Sequence, residues 1–334
     1  MADLTTKYMG LELRSPVVAG ASTLTSNMNT IKKIEDNGAG ALVISSLFEE
    51  QVQLESVEMK NELEENDEKY AEMTSIFPKL EHAGPDEHLM WVKKAKEAVS
   101  IPVIASLNAK NEGVWIKWAK KLEDSGVDGL ELNFYAAPMD LAATGDAIED
   151  KQIAAVEKVK KAVNIPVSVK LSPYYANPLN VVLRMDEIGA DGFVLFNRFI
   201  HPAIDVDKQE IAVKINESTP DDHRLAARYI GLLLGNVGAS LIGSNGVHTA
   251  DQAVSLLLAG ADAVQTVTSL FIHGIGHIQT INANIAKWME GKGYEKISDF
   301  AGKLSEKNTN DPWAYRRAQY VKTLLRPKEY INYV

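Results

Sequence analysis

Eight short apolar runs spread over residues 16–267 constrain this chain more than any other feature. The first is Pro16-Val17-Val18-Ala19-Gly20. Five more follow a small-residue turn. Asn37-Gly38-Ala39-Gly40 leads into Ala41-Leu42-Val43-Ile44-Ser45, and Ser125-Gly126-Val127-Asp128 into Gly129-Leu130-Glu131-Leu132-Asn133. Gly189-Ala190-Asp191 leads into Gly192-Phe193-Val194-Leu195-Phe196-Asn197. Gly238 precedes Ala239-Ser240-Leu241-Ile242-Gly243, and Gly260-Ala261-Asp262 precedes Ala263-Val264-Gln265-Thr266-Val267. The remaining two begin Ile-Pro-Val: Ile101-Pro102-Val103-Ile104-Ala105-Ser106 and Ile165-Pro166-Val167-Ser168-Val169-Lys170. Continuous apolar runs of this length are the signature of parallel strands buried on both faces. A glycine before a strand suits the end of the preceding helix. The intervening residues 114–123, 153–163 and 250–258 carry helical spacing. Strand–helix alternation repeated eight times predicts a (β/α)₈ TIM barrel. A doubly wound open sheet is the alternative, but no G-x-G-x-x-G follows the first run.

Three stretches exceed the minimal repeat. Residues 46–84 form a long insertion after strand two, on the C-terminal face where barrel active sites lie. Residues 198–228 form an irregular insertion after strand six with room for a small extra sheet. Residues 1–310 then read as one barrel domain, and 311–334, with Trp313, Tyr315, Tyr320, Tyr330 and Tyr333 among basic residues, as a C-terminal packing or dimer arm.

Charge and composition narrow the partners. A net charge of −10 argues against nucleic acid, whose phosphates need clustered Lys and Arg. The acidic run at residues 62–68 reads as a solvated face. With no cysteine there is no disulfide, no thiolate nucleophile and no Cys₄ cluster, which fits a reducing cytoplasm. No apolar run approaches the roughly 20 residues of a spanning helix, so no membrane contact is expected.

The strand ends carry the chemistry. Reading along the runs, the polar ends are Ser45-Ser46, Ser106, Asn133, Lys170, Asn197, Ser244-Asn245-Gly246 and Thr268-Ser269. A single polar end is ordinary; a ring of them marks a site. The turn Gly243-Ser244-Asn245-Gly246-Val247 lets backbone amides approach an anion, with Thr249 placed to cap the next helix. Together with Thr268-Ser269 it forms the paired loops after strands seven and eight that hold phosphate in such barrels. Lys170 ends an apolar run and must reach water or an anion, because a buried, unpaired ammonium is costly.

Several of these pieces resemble one family. They are Glu131-Leu132-Asn133, Pro166-Val167-Ser168-Val169-Lys170-Leu171-Ser172-Pro173, Phe196-Asn197, Ile242-Gly243-Ser244-Asn245-Gly246-Val247, Ala259-Gly260-Ala261-Asp262-Ala263-Val264-Gln265 and the stretch at residues 293–304. The combination is similar to the dihydroorotate dehydrogenases, most closely their soluble class 1 branch, over most of residues 4–304. The resemblance implies FMN on the C-terminal face. Its contacts would fall on Ala19, Gly20, Ala21, Ser22, Ser46, Asn133, Lys170, Asn197, Asn245, Gly246, Thr268 and Ser269. Lys170 would stabilise negative charge at flavin N1. Asn133 and Asn197 would also face a pyrimidine, since an amide offers both donor and acceptor to an imide edge. A homodimer and a separate electron-transfer partner belong to the same implication.

The chain also departs from that family. Where class 1 reads Asn-Leu-Ser-Cys-Pro-Asn, it has Asn133-Phe134-Tyr135-Ala136-Ala137-Pro138, so the catalytic cysteine position holds Ala136. The flavin-side lysine position after strand two holds Ser45. A glycine-rich run after strand six becomes Asp221-Asp222-His223-Arg224-Leu225, and the Asn-rich substrate loop becomes residues 77–85. Candidate replacement bases are Tyr135 and the loop histidines His82, His88, His201 and His223. His273 and His277 share a helical face but lack an acidic partner, and no metal site is expected there. The leading expectation is an FMN-dependent oxidoreductase acting on a CH–CH bond of a dihydropyrimidine-like substrate, with dihydroorotate to orotate, a step of pyrimidine biosynthesis, as the family default. The alternatives are a flavin- or phospholigand-binding protein that has lost that oxidation, and a non-flavin phosphate-binding barrel enzyme.

Overall fold

A computed structural model describes residues 2–53, 84–135, 140–212 and 215–326. The eight runs become eight strands: β1 (Val17–Ala19), β2 (Ala41–Val43), β3 (Val103–Asn108), β4 (Gly129–Asn133), β5 (Val167–Leu171), β6 (Gly192–Leu195), β7 (Ser240–Ser244) and β8 (Ala263–Thr266). Each pairs in parallel with the next. β8 returns to β1 with Val264 opposite Val17 and Thr266 opposite Ala19, so the sheet closes into a (β/α)₈ TIM barrel and the open-sheet alternative falls away. The helices that alternate with them are α1 (Met28–Asp36), α2 (Pro85–Ala98), α3 (Glu112–Asp124), α4 (Gly145–Ala162), α5 (Pro178–Glu187), α6 (His223–Leu233), α7 (Ala250–Ala259) and α8 (His277–Lys292), with two further helices at Thr268–His273 and Arg317–Leu325.

The two Ile-Pro-Val runs enter their strands later than their apolar pattern suggests, at Val103 and Val167. Proline has no N–H to give the ladder, but its carbonyl still accepts: Leu42 donates to Pro102 at 3.1 Å and Leu130 to Pro166 at 2.9 Å. The recurring aspartates of the lead-in turns have a matching role. Asp128, Asp191 and Asp262 each accept an N–H at the start of the preceding strand, from Val103, Val167 and Leu241, all at 2.7 Å. Each aspartate thereby fastens its own strand to its neighbour at the N-terminal end of the barrel.

Side chains alternate across the strands. Outward residues pack under the helices, while Val18, Val43, Ile104, Val194 and Ile242 fill the lower barrel interior with Tyr8, Met9 and Leu13. The last three come from the antiparallel hairpin Thr6–Tyr8 and Leu11–Leu13, which closes the N-terminal end. The opposite end therefore holds the opening.

Both insertions start from fixed anchors. Leu47–Phe48 pairs with Leu107 and Asn108, and the buried Glu49 carboxylate accepts the N–H groups of Lys110 at 2.5 Å and Asn111 at 2.8 Å. Burial alone would raise that carboxyl's pKa, but these donors outweigh it and leave it lowered. Residues 54–83 lie outside the described residues. The insertion after β6 does form a small antiparallel hairpin, Ala203–Asp205 with Glu210–Ala212. Past residue 310, the turn Pro312–Tyr315 lies against α6. The Arg228 guanidinium donates to the carbonyls of Ala314 and Tyr315, and the Tyr315 ring occupies the space left by Gly231. No described helix is long and apolar enough to cross a membrane.

Candidate active site

The upper layer of the barrel interior is polar. Lys170 from β5, Glu131 from β4 and Gln265 from β8 point inward and are only 7%, 1% and 1% exposed. The Lys170 ammonium donates to Gln265 Oε1 at 2.8 Å, and Gln265 Nε2 donates to Glu131 Oε2 at 2.7 Å. Glu131 Oε1 stands 3.8 Å from the Lys170 nitrogen. Gly20, at the end of β1, makes this possible: a Cβ there would come within 3.1 Å of Gln265 Oε1 and 2.7 Å of Val267 Cγ2. Ala19 is buried on β1, and Gly20 donates its N–H to Thr266 O at 3.0 Å.

Above that layer, four of the polar strand ends form one chain across the rim. Asn197 Nδ2 donates to Asn133 Oδ1 at 2.6 Å, Asn133 Nδ2 to Ser46 Oγ at 3.5 Å, and the Ser46 and Ser106 hydroxyls are 2.7 Å apart. The strand register accounts for part of this, setting Asn133 opposite Lys170. Ser106 is buried beneath Ser46, with Ser45 beside it at the end of β2.

The loops after β7 and β8 build the third side. Asn245 and Gly246 have φ of +75° and +77°. A Cβ on Gly246 would come within 2.5 Å of the His223 nitrogen and 2.8 Å of Thr219 O, so only glycine fits there. Gly243 serves packing instead: a Cβ would lie 2.7 Å from Leu256 of α7. Thr249 caps α7 by accepting from Asp251 N, with Gln252 completing the box. The Ser269 hydroxyl is buried 2.7 Å from that of Thr266, which donates to Val247 O at 2.9 Å and so ties the two loops together. Ala21, Ser22, Ser244 and Thr268 face the opening.

A cavity of about 580 Å³ has Lys170, Asn197, Asn245, Gly246 and Thr268 in its wall, whereas Ser46, Ser106 and Asn133 of the rim chain do not line it. Arg198, which the sequence reading passed over, also lines it. Its guanidinium donates to Asp222 Oδ2 at 2.8 Å, Asn245 Oδ1 at 3.2 Å, Glu217 O at 2.7 Å and Asn216 O. It thus clamps the insertion after β6 to the β7 loop. Ser218 lines the same cavity and lies 3.1 Å from the buried His248 imidazole. Glu131 and Gln265 were equally missed as site residues, although alternation from Lys170 within otherwise apolar strands was a usable signal.

Of the described candidate bases, Tyr135 and His201 share one aromatic group around Phe199, while His88 and His223 lie elsewhere. The Tyr135 hydroxyl accepts the Ile200 N–H at 3.0 Å, and its ring stacks on Phe199 at 4.7 Å. His201 packs in the same aromatic group. His223 is half-buried, its Nδ1 2.5 Å from Pro220 O. His88 on α2 is pushed down to about 4 by burial. His273 and His277 have ring centroids 4.6 Å apart, and among the described residues no three potential ligands group around a metal site. Ala136 and His82 lie outside the described residues.

Against known proteins, the family model described as Dihydroorotate dehydrogenase matches residues 59–289. The chain belongs to the dihydroorotate dehydrogenase family. It is similar to the dihydroorotate dehydrogenase B (NAD(+)) catalytic subunit of Thermoplasma volcanium, 27% identical over 310 residues, 90% of this chain and 98% of that protein. The subunit of the same name from Alkaliphilus metalliredigens is 26% identical over 299 residues, 88% of this chain and 96% of its own. Dihydroorotate dehydrogenase A (fumarate) of Lactobacillus delbrueckii subsp. bulgaricus is 25% identical over 307 residues, 88% and 96%. This family of oxidoreductases depends on flavin. The cavity fits such a group: an ammonium carries three donors, and the one described hydrogen bond of Lys170 leaves donors for a ligand edge in the wall.

Proposed function

We propose that this family member binds FMN in the 580 Å³ cavity and oxidises a dihydropyrimidine-like substrate, with weakened action on dihydroorotate. The observation that carries the reading is Lys170: a buried ammonium in the wall of a cavity that also has a glycine-shaped loop before a capped helix. Lys170 would hold the ring edge, and Ser244, Asn245, Gly246 and Thr268 the phosphate. FMN bound there supplies the hydride acceptor. Asn133 and Asn197, already hydrogen-bonded to each other, would orient an imide edge over it. A separate electron-transfer partner belongs to the same reading, because two of the relatives are named as catalytic subunits. Homodimerisation belongs to it through the family resemblance.

Loss of a base motivates the weakened step. Oxidising dihydroorotate removes a proton from C5 as hydride leaves C6. Alanine at position 136 has no lone pair to take that proton, and the Tyr135 hydroxyl already accepts the Ile200 N–H. A positioned general base contributes about 10²- to 10⁴-fold. Dihydroorotate turnover with an artificial acceptor should therefore be slower than family rates by a factor of that order, and Ala136→Cys should recover part of it. Dihydrouracil and dihydrothymine assayed alongside distinguish a changed substrate from a lost activity. Ordinary family rates from the unmodified protein would contradict the reading.

A further inference from the structure

We propose that Glu131 is a positioning residue of the flavin site, holding Lys170 through Gln265 and offsetting its charge beneath the cavity. The inference rests on the flavin reading above.

The three side chains come from three strands and meet in one order. An ammonium only donates and a carboxylate only accepts, so the amide between them must turn its oxygen to Lys170 and its nitrogen to Glu131. That is the arrangement found, at 2.8 and 2.7 Å. Glu131 Oε1 has no hydrogen-bond partner among the described residues and lies 3.8 Å from the Lys170 nitrogen. The groups facing it are Lys170, Gln265 and, from the hairpin below, the Tyr8 hydroxyl, whose proton is held by burial and by the Glu131 charge. A buried carboxylate with a bare oxygen is a costly way to fill space. Isoleucine fills neighbouring interior positions at 104 and 242. What Glu131 adds is charge, and the cation nearest to it lines the cavity.

In a low-dielectric interior, a carboxylate this close offsets much of the ammonium's field. Glu131→Gln keeps the shape and the acceptor for Gln265 while deleting the charge. Lys170 would then pull more strongly on negative charge at the ligand edge it faces. The test is the midpoint potential of FMN bound to the full chain, in the unmodified protein, Glu131→Gln, Lys170→Met and the double variant. Glu131→Gln should raise the ratio of affinities for reduced over oxidised FMN about tenfold, which is about 30 mV for a two-electron couple. The rise should vanish in the Lys170→Met background, since coupled residues are non-additive. Should Glu131→Gln fail to fold, Gln265→Met removes the amide that accepts from Lys170. It should raise the potential too, and only when Lys170 is present. FMN uptake with an unchanged potential, or a rise that persists without Lys170, would overturn the proposal alone. Absence of FMN uptake by the unmodified protein would overturn the flavin reading with it.

Discussion

At the scale of single residues, two positions carry the site. Lys170 was legible in the sequence because it breaks an apolar run; its buried partners were not, since Glu131 and Gln265 look like part of the strand pattern until alternation is projected inward. Replacing Lys170 with Met should weaken FMN binding by about 1.5–3 kcal/mol, the range for a hydrogen bond to a charged group, as read by calorimetric titration. Gly246 is constrained from two sides, by its φ of +77° and by the His223 nitrogen 2.5 Å from where a Cβ would stand. Gly246→Ala should cost on the order of 1–3 kcal/mol of stability in denaturant melts. It should also lower affinity for FMN more than for riboflavin, because the distortion falls on the loop proposed to hold the phosphate. An equal loss for both ligands would place the phosphate elsewhere.

At the scale of elements, the sequence showed eight strands because continuous apolar runs admit few other readings. It showed helix starts poorly. α4 begins at Gly145, while apolar spacing begins only at Ile153, because its first two turns are largely exposed and their start is marked by the Thr144 cap. The small sheet after β6 was anticipated, but not that Arg198 would bind residues 216–222 of the same insertion to the β7 loop. The aspartate latches allow a test. Asp128 and Asp191 are each paired with a lysine, Lys96 and Lys160. For Asp262 burial is the dominant cause, offset in part by the Leu241 N–H, and pushes its carboxyl up to about 6. A raised folded pKa means the folded state prefers the protonated group. Its contribution to stability is full below the ordinary value of 3.8 and is lost as pH rises through about 6. Asp262→Asn, which still accepts from Leu241, should match the unmodified protein near pH 4. By pH 8 it should be more stable, by on the order of 2 kcal/mol. Chemical denaturation at both pH values measures this. A variant less stable at pH 8 would show the ionised carboxylate to be favourable.

At the scale of the whole molecule, the barrel is closed at one end by the N-terminal hairpin and flanked at the other by two insertions, with a cavity beside the β7 and β8 loops that has Lys170 and Gln265 in its wall. The part of that cavity proposed to hold the flavin was anticipated at the strand ends, because polar residues there interrupt an apolar code. The part proposed to take the substrate was not, since the chain departs from the family pattern there, at Ala136 and at residues 77–85 and 221–225, and no other motif replaces it. The central claim is that this cavity holds a flavin mononucleotide. Titrating the apoprotein with FMN, riboflavin, FAD and NAD while following the visible spectrum and flavin fluorescence tests it directly. FMN should bind with a dissociation constant well below millimolar, riboflavin more weakly for want of the phosphate, and FAD and NAD not measurably. If FMN fails to bind below millimolar concentration, or binds no better than riboflavin, the account is contradicted.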